Sequence, residues 1–189
     1  MAKTHHHNPG HGDSVCCTHP SPTPSLTQTL DEMDWDRGIW SAALCGDLSR
    51  VEKLLSSGCS VNSVDKSGYT ALHYACRNGH KDIVSKLLQH GADPNLQTRS
   101  GRASPLHRAA YGGHVDIVSQ LLRAKSDATL VDSDSKTALH KAAEQGNTEI
   151  CKVLLKAQPS MKTAQDHRGQ TPLDCIKKDY VPELRQLLS

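Results

Sequence analysis

The chain repeats one pattern of residues at intervals of 33 or 34 positions, and this repetition limits the possible folds more than any other feature. His73 and His107 are 34 residues apart, and His107 and His140 are 33 apart. In each copy a Leu precedes the His directly and a Ser or Thr precedes it by three positions. Partial copies lie upstream at 39–55 and downstream at 169–173. A period of this length predicts stacked supersecondary units, because one unit alone cannot bury its apolar faces.

Each copy contains the start and stop signals of two short helices. A hydroxyl residue stands where it can cap a first helix, and Pro fits the first helical position since no amide hydrogen is lost there. A Gly ends that helix, and an apolar stripe such as Ile83, Val84, Leu87 and Leu88 predicts a second one. The residues concerned are the caps Thr70, Ser104, Thr137 and Thr171, then Pro105 and Pro172, the inward Leu72, Leu106, Leu139 and Leu173, and Gly79, Gly113 and Gly146.

The Thr-Ala-Leu-His, Ser-Pro-Leu-His and Thr-Pro-Leu segments at 70–73, 104–107 and 171–173 resemble the Thr-Pro-Leu-His signature of the ankyrin repeat family. The resemblance extends over residues 34–189. It implies an all-α ankyrin repeat solenoid of paired antiparallel helices joined by β-hairpin-like turns, called fingers below. The expected units are an N-terminal capping repeat at 34–64, full repeats at 65–97, 98–131 and 132–165, and a C-terminal capping repeat at 166–189.

Three departures from the pattern are expected to show in the fingers and turns. The third unit has one extra residue between Gly101 and Pro105, so its finger should bulge and the register of Arg102 and Ala103 is open. Ser135 replaces a turn Gly. The segments at 125–127 and 158–160 replace the Gly-Ala-Asp that follows the second helix in the second unit.

Residues 1–33 have a different composition from the repeats. They hold five of the 12 His and four of the nine Pro, with only Val15, Leu26 and Leu30 as aliphatic side chains. We expect them to be disordered, because they offer too little apolar surface to offset chain entropy. Cys16, Cys17 and His19 are metal-ligand types, so a metal site there is an alternative.

The composition excludes several function classes. The 22 basic and 20 acidic residues leave a net charge of +2, which is too small to indicate nucleic-acid or membrane binding. No apolar run is long enough to span a bilayer, and no signal peptide is expected. The chain has seven Cys, an odd number, which indicates free thiols. Free thiols favour a location in the cytoplasm or the nucleus.

The repeated His residues do not predict a metal centre. Equivalent residues in stacked units lie roughly 8–10 Å apart, whereas zinc ligands lie about 2 Å from the metal. In the family this His is structural, forming hydrogen bonds around its turn. Cys76, Cys151 and Cys175 fall at core or near-core positions, Cys59 in a turn, and Cys45 on the inner face. We find no nucleophile, phosphate loop or paired-carboxylate motif, so the sequence predicts no cofactor, no metal and no enzyme activity.

The family resemblance implies that partners bind on the concave face, on the finger tips and the ends of the first helices. Carried over to this chain, those positions are rich in Arg, Lys and Tyr, which are frequent interface anchors. The predicted contact residues are Lys66, Tyr69, Arg77, Asn78, Arg99, Arg102, Tyr111, Lys136, Glu144, Gln145 and Arg168.

These positions predict an adaptor or scaffold that binds an acidic protein segment, with the chain itself a monomer. Nucleic acid is a weaker partner for this face, because only two Tyr could stack on bases. The alternative is a structural or inhibitory subunit of a fixed complex.

Asn95 and Asn62 are candidate modification sites. Family members are recurrent substrates of an asparaginyl hydroxylase that prefers Leu eight residues before the Asn and an acid two before. Asn95 matches both positions through Leu87 and Asp93, although Pro94 replaces the usual Val. Asn62 has Leu54 but lacks the acid. Alternatively, both Asn residues only cap their turns.

Overall fold

The protein is described by a computed structural model at residues 38–176 and 182–188, so the tail predicted at 1–33 lies outside the described residues. Within the described ranges the secondary structure is entirely helical, with turns and no strand. This confirms the all-α prediction. The helices are α1 (Ile39–Cys45), α2 (Leu48–Ser56), α3 (Ala71–Asn78), α4 (Lys81–Gln89), α5 (Pro105–Gly112), α6 (Val115–Arg123), α7 (Ala138–Glu144), α8 (Thr148–Ala157), a 3-10 helix (Pro159–Thr163) and α9 (Pro182–Leu188).

The helices stack in two parallel rows. The first helices α1, α3, α5 and α7 pack against one another in order, and the second helices α2, α4, α6 and α8 do the same. Leu72, Leu106 and Leu139 are almost fully buried between the rows. Small residues such as Ala109 and Ala142 have no exposed surface, which lets successive helices approach closely. The core is therefore one continuous aliphatic layer, and it needs no Phe.

The predicted caps form in the three full units. Thr70, Ser104 and Thr137 each begin a first helix with a capping box, in which the His three residues later completes the reciprocal bond. The fifth unit differs, because residues 171–176 form a turn and not a helix begun by Thr171. There Asp174 takes the place of His, and its carboxylate accepts the Thr171 N–H at 2.8 Å and hydroxyl at 2.7 Å.

The expected departures appear at the turns. Arg102, Lys125 and Ser135 are the non-glycine residues with positive φ among the described residues, at 46°, 62° and 58°. The finger of the third unit is one residue longer than its neighbours: Thr98 N donates to Ala103 O, five residues on, whereas Asp65 N donates to Tyr69 O, four residues on. The bulge predicted from the inserted residue is thus confirmed.

A second set of side chains ties each unit to the one before it. His80 Nε2 donates to Leu44 O at 3.0 Å, His114 Nε2 to Arg77 O at 3.1 Å, and Asn147 Nδ2 to Ala110 O at 3.0 Å. These bonds satisfy carbonyls at the ends of the preceding first helices, which have no partner within the helix.

Gly79→Ala should lower the free energy of unfolding by about 2–3 kcal/mol. Gly79 has φ +81°, and a Cβ there would lie 2.6 Å from Cε1 of the His114 ring that bonds to Arg77. Gly91→Ala is the matched control, since its φ is +82° and nothing lies within 4 Å of its Cβ. Gly91→Ala should cost about 1 kcal/mol, from backbone strain alone. Urea denaturation followed by circular dichroism measures both, and equal losses would contradict the contact with His114.

Candidate functional site

The repeated His residues link the helices to the fingers. Nδ1 of His73, His107 and His140 accepts the backbone N–H of the capping residue at 3.1–3.2 Å. Nε2 must then carry the proton, and it donates to a carbonyl of the next finger: Ala103 O at 3.0 Å, Lys136 O at 2.9 Å and Gln170 O at 3.2 Å. The predicted hydrogen-bonding role of these residues is confirmed.

Burial disfavours the protonated form of these imidazoles. It lowers the pKa of His73 and of His107 from 6.5 to about 4, and it also lowers the pKa of His140. Within residues 38–176 and 182–188, no cluster of three or more His, Cys, Asp or Glu could hold a metal ion. The bonds from Nε2 of the three rings to the finger carbonyls position the fingers.

Backbone bonds between neighbouring finger tips fix the fingers relative to one another. Arg99 N donates to Ser67 O at 3.1 Å, Ser133 N to Gly101 O at 2.9 Å and His167 N to Asp134 O at 3.0 Å. Together with the His bonds, they make the fingers and the exposed side of the first helices one continuous surface. We call this the finger face; it comprises residues 65–69, 98–103, 132–136 and 166–170 with the exposed residues of α3, α5 and α7.

The inserted residue changes the register of Arg102. Ala103, Lys136 and Gln170 hold equivalent positions in their fingers, because the backbone carbonyl of each accepts a hydrogen bond from Nε2 of the repeated His in the preceding unit. Arg102 therefore stands where the second unit has Gly68, one position before the place implied by the family pattern. Its side chain is still exposed, while Ala103 is buried.

The charge that the sequence places on the finger face is partly neutralised. Lys136 forms an ion pair with Glu144, and both side chains are mostly covered. Burial alone would lower the pKa of Lys136, but the bond to Glu144 raises it overall. The predicted contact residues Lys136 and Glu144 thus bind each other and do not offer separate charges.

Four Arg residues of the finger face remain exposed. Arg77, Arg99, Arg102 and Arg168 have no carboxylate within 4.0 Å among the described residues. Lys66 is also exposed. The exposed charge of the second and third units is therefore mainly basic, while Asp134 adds an exposed acid on the fourth unit.

The predicted aromatic and amide contacts divide into exposed and internal groups. Tyr111 is 49% exposed and available to a partner. Tyr69 is half-buried under Arg108, whose guanidinium carbon lies 4.9 Å from the ring centroid. Asn78 is exposed, and its side-chain amide donates to Leu44 O at 3.1 Å. Gln145 follows the end of α7 and is half-buried.

A cleft of about 340 Å³ lies on the finger face, between the first helices and fingers of the second to fourth units. Of the predicted contacts, Arg77 and Tyr111 line it. Arg108, Asp132 and Lys141 also line it, and sequence reasoning did not select them. The available signal was their place in the repeat, because Arg108 and Lys141 each directly follow a repeated His.

Asn95 and Asn62 bind the turns of the following units. Asn95 Oδ1 accepts Asp127 N–H at 2.8 Å, and Asn62 Oδ1 accepts Asp93 N–H at 2.9 Å. The amide of Asn95 also points to Lys125 O at 3.5 Å. Leu87 is completely buried in the core. The turn-capping role considered for these residues is therefore present in the structure.

Five Cys residues lie in the described part of the chain. Cys45, Cys59, Cys76, Cys151 and Cys175 are free, and burial raises the pKa of Cys76 and Cys151. Cys45 is exposed, as expected. In the described ranges, no helix has both the length and the apolar character needed to cross a bilayer.

Comparisons with known proteins agree with the repeat architecture. A family model described as "Ankyrin repeats (3 copies)" matches residues 39–132 and 106–188. Ankyrin repeat domain-containing protein 39 of Homo sapiens is 52% identical over 86 residues, which are 46% of this chain and 47% of that protein. The Bos taurus protein of the same name is 60% identical over 68 residues, 36% of this chain and 37% of the relative. The chain thus spans less than half the length of these relatives.

An enzyme also occurs among the similar proteins. The 2-5A-dependent ribonuclease of Mus musculus is 38% identical over 80 residues, which cover 42% of this chain and 11% of that protein. Family members generally mediate protein–protein interactions, and the family model covers most of the described residues. The two rows of capped helices, the His-linked fingers and the family match together show that this chain belongs to the ankyrin repeat family.

Proposed function

We propose that the chain is an adaptor or scaffold without catalytic activity, which binds an acidic segment of a partner protein on the finger face. One observation carries this proposal: Arg77, Arg99, Arg102 and Arg168 are exposed on this face without a carboxylate partner among the described residues. Arg and Tyr are enriched at interfaces, and a complementary charge speeds association and selects partners.

The test is proximity labelling in cells with the full chain and with Arg77→Glu, Arg99→Glu and Arg102→Glu combined. The variant should lose the partners that the unchanged chain labels, because three attractive charges become repulsive. The matched control is Lys53→Glu, Arg123→Glu and Lys156→Glu, three exposed cations in the last turns of the second helices. It changes net charge equally and should keep the partners. The same partner set for all three proteins would overturn the proposal.

The compartment and assembly are part of this proposal. Five free thiols in the described residues suit a reducing compartment, so we place the protein in the cytoplasm or the nucleus, as a monomer before it meets its partner. A fixed structural or inhibitory complex is the alternative. A stoichiometric complex that survives purification would favour it, whereas exchange of the partner during purification supports an adaptor.

A second proposal concerns hydroxylation of Asn95. Its turn lies at the surface between two units, but Leu87 is buried and the Asn95 amide is bonded to the next turn. An enzyme that recognises both residues can bind only after this segment unfolds locally and exposes Leu87. Intact-mass measurement after co-expression with the hydroxylase should show one added oxygen atom, and Asn95→Ala should remove it. An unchanged mass would refute the assignment.

A further inference from the structure

In two of the units, the Asp that begins the finger binds the side chain of the residue that directly follows the repeated His. In the second unit, Tyr74 OH donates to Asp65 Oδ2 at 2.7 Å. In the fourth unit, Lys141 Nζ lies 2.7 Å from Asp132 Oδ2, with both side chains mostly buried. The other oxygen of each carboxylate accepts backbone N–H groups of its own finger. The acid thus closes the finger and also satisfies the polar group above it.

The third unit breaks this pairing. Thr98 stands at the position of Asp65 and Asp132, and its hydroxyl oxygen accepts Ala103 N–H at 3.1 Å, which closes the finger. Arg108 follows His107, as Lys141 follows His140. Thr98 has no second oxygen or negative charge to offer Arg108. No carboxylate in the described part of the chain lies within 4.0 Å of this guanidinium.

Arg108 is held in place without being neutralised. Its guanidinium lies over the Tyr69 ring and donates one bond to the Tyr69 hydroxyl. Its Nε is buried and has no hydrogen-bond partner among the described residues. A half-buried guanidinium is stabilised by a paired anion, and its planar donors match the two oxygens of a carboxylate.

The cleft beside Arg108 can admit such an anion, and its two walls differ in charge. Arg77 and Tyr111 line it together with Arg108. On the other wall Lys141 is neutralised by Asp132, and Asp134 adds a second carboxylate. The uncompensated cations are therefore Arg77 and Arg108, on the side of the second and third units. An acidic side chain is attracted to that side and repelled from the Asp134 wall.

We propose that a Glu or Asp side chain of the partner enters this cleft and supplies the carboxylate that Thr98 lacks, with Arg108 as its main ligand and Arg77 as a second. This inference rests on the proposed function of the finger face and names the group that is recognised there. Arg99 and Arg102 would hold flanking acidic residues of the same segment.

The decisive variant is Thr98→Asp, because by analogy with Asp132 and Lys141 it should place a carboxylate of the chain itself next to Arg108. The probe is a fluorescent peptide that alternates Glu and Gly, with both ends blocked, measured by fluorescence anisotropy. Thr98→Asp should weaken binding at least about 10-fold and raise the melting temperature. Arg108→Gln should weaken binding by a similar factor without supplying an acid, so the test does not depend on one variant folding well.

Two controls separate this site from general charge attraction. Arg123→Gln removes one exposed cation from the last turn of α6 and should leave peptide affinity unchanged. A peptide with Gln in place of Glu should not bind. A peptide whose sole carboxylate is its C-terminus tests the other source of this group, and its binding in preference to the Glu peptide would overturn the side-chain assignment.

The outcomes distinguish this inference from the proposed function. If Thr98→Asp and Arg108→Gln bind the Glu peptide like the unchanged chain, the inference is wrong. If the triple Arg77, Arg99 and Arg102 reversal nevertheless abolishes labelling of partners in cells, the proposed function stands without it. Absence of Glu-peptide binding to the unchanged chain would also overturn the inference.

Discussion

Acidification from about pH 7.5 to about pH 5 should lower the free energy of unfolding by roughly 2 kcal/mol for each of His73 and His107. Their folded-state pKa is about 4, against 6.5 for an ordinary His, because both rings are buried. The unfolded chain therefore binds more protons than the folded chain between these values. Stability falls as the pH decreases through 6.5 and continues to fall until about pH 4. His140, whose pKa is also lowered, adds to the effect.

Urea titrations at both pH values, followed by circular dichroism, measure this dependence. His90→Gln is the control, because His90 is exposed and is not one of the buried rings that bond to the fingers. Asp132 also has a lowered pKa, but it does not affect this measurement. The stability that its carboxylate contributes is present above its ordinary pKa of 3.8 and is lost only at lower pH. Equal stability at the two pH values would contradict the role assigned to the buried rings.

Leu106→Ala should lower the free energy of unfolding by about 3 kcal/mol, whereas Leu173→Ala should cost about 1 kcal/mol. The two residues hold the same place in their repeats. Leu106 is 1% exposed in the central unit and packs between neighbours on both sides, so its loss leaves a cavity. Leu173 is only half-buried and lies in a turn, where neighbouring groups can close the gap.

Chemical denaturation of the two variants at neutral pH tests this difference. Because stacked units stabilise one another through their interfaces, the central substitution should also broaden the transition, as the two halves of the solenoid separate. The terminal substitution should leave the transition as steep as in the unchanged chain. Similar losses for both variants would show that the central and terminal interfaces contribute equally.

Much of the fold could be predicted from the sequence because its signals are local and repeated. The period places each Leu on the inner side, each hydroxyl residue at a helix start and each Gly at a helix end, so burial and capping follow from position alone. The fifth unit departs from this pattern at Asp174. A carboxylate there bonds to its own turn, and the helix expected after Thr171 is absent from residues 171–176.

The finger face was only partly predictable, for a physical reason. A family pattern gives the position of a residue in the repeat, but the partner of a long charged side chain depends on distances between units. Lys136 has the right position for a contact, yet Glu144 neutralises it. Arg102 has shifted by one place because of the inserted residue, and it now stands at the positive-φ position that Gly68 holds in the second unit.

The sequence by itself determined the repeat, the direction of the buried side chains and the basic character of the finger face, since these depend on period and composition. Only the tertiary structure decided which cations remain available. The substitution of Thr98 for the turn acid is visible in the sequence, but its consequence requires the position of Arg108 above the Tyr69 ring. Charge is fixed by residue type, whereas neutralisation is fixed by the distance to the nearest opposite charge.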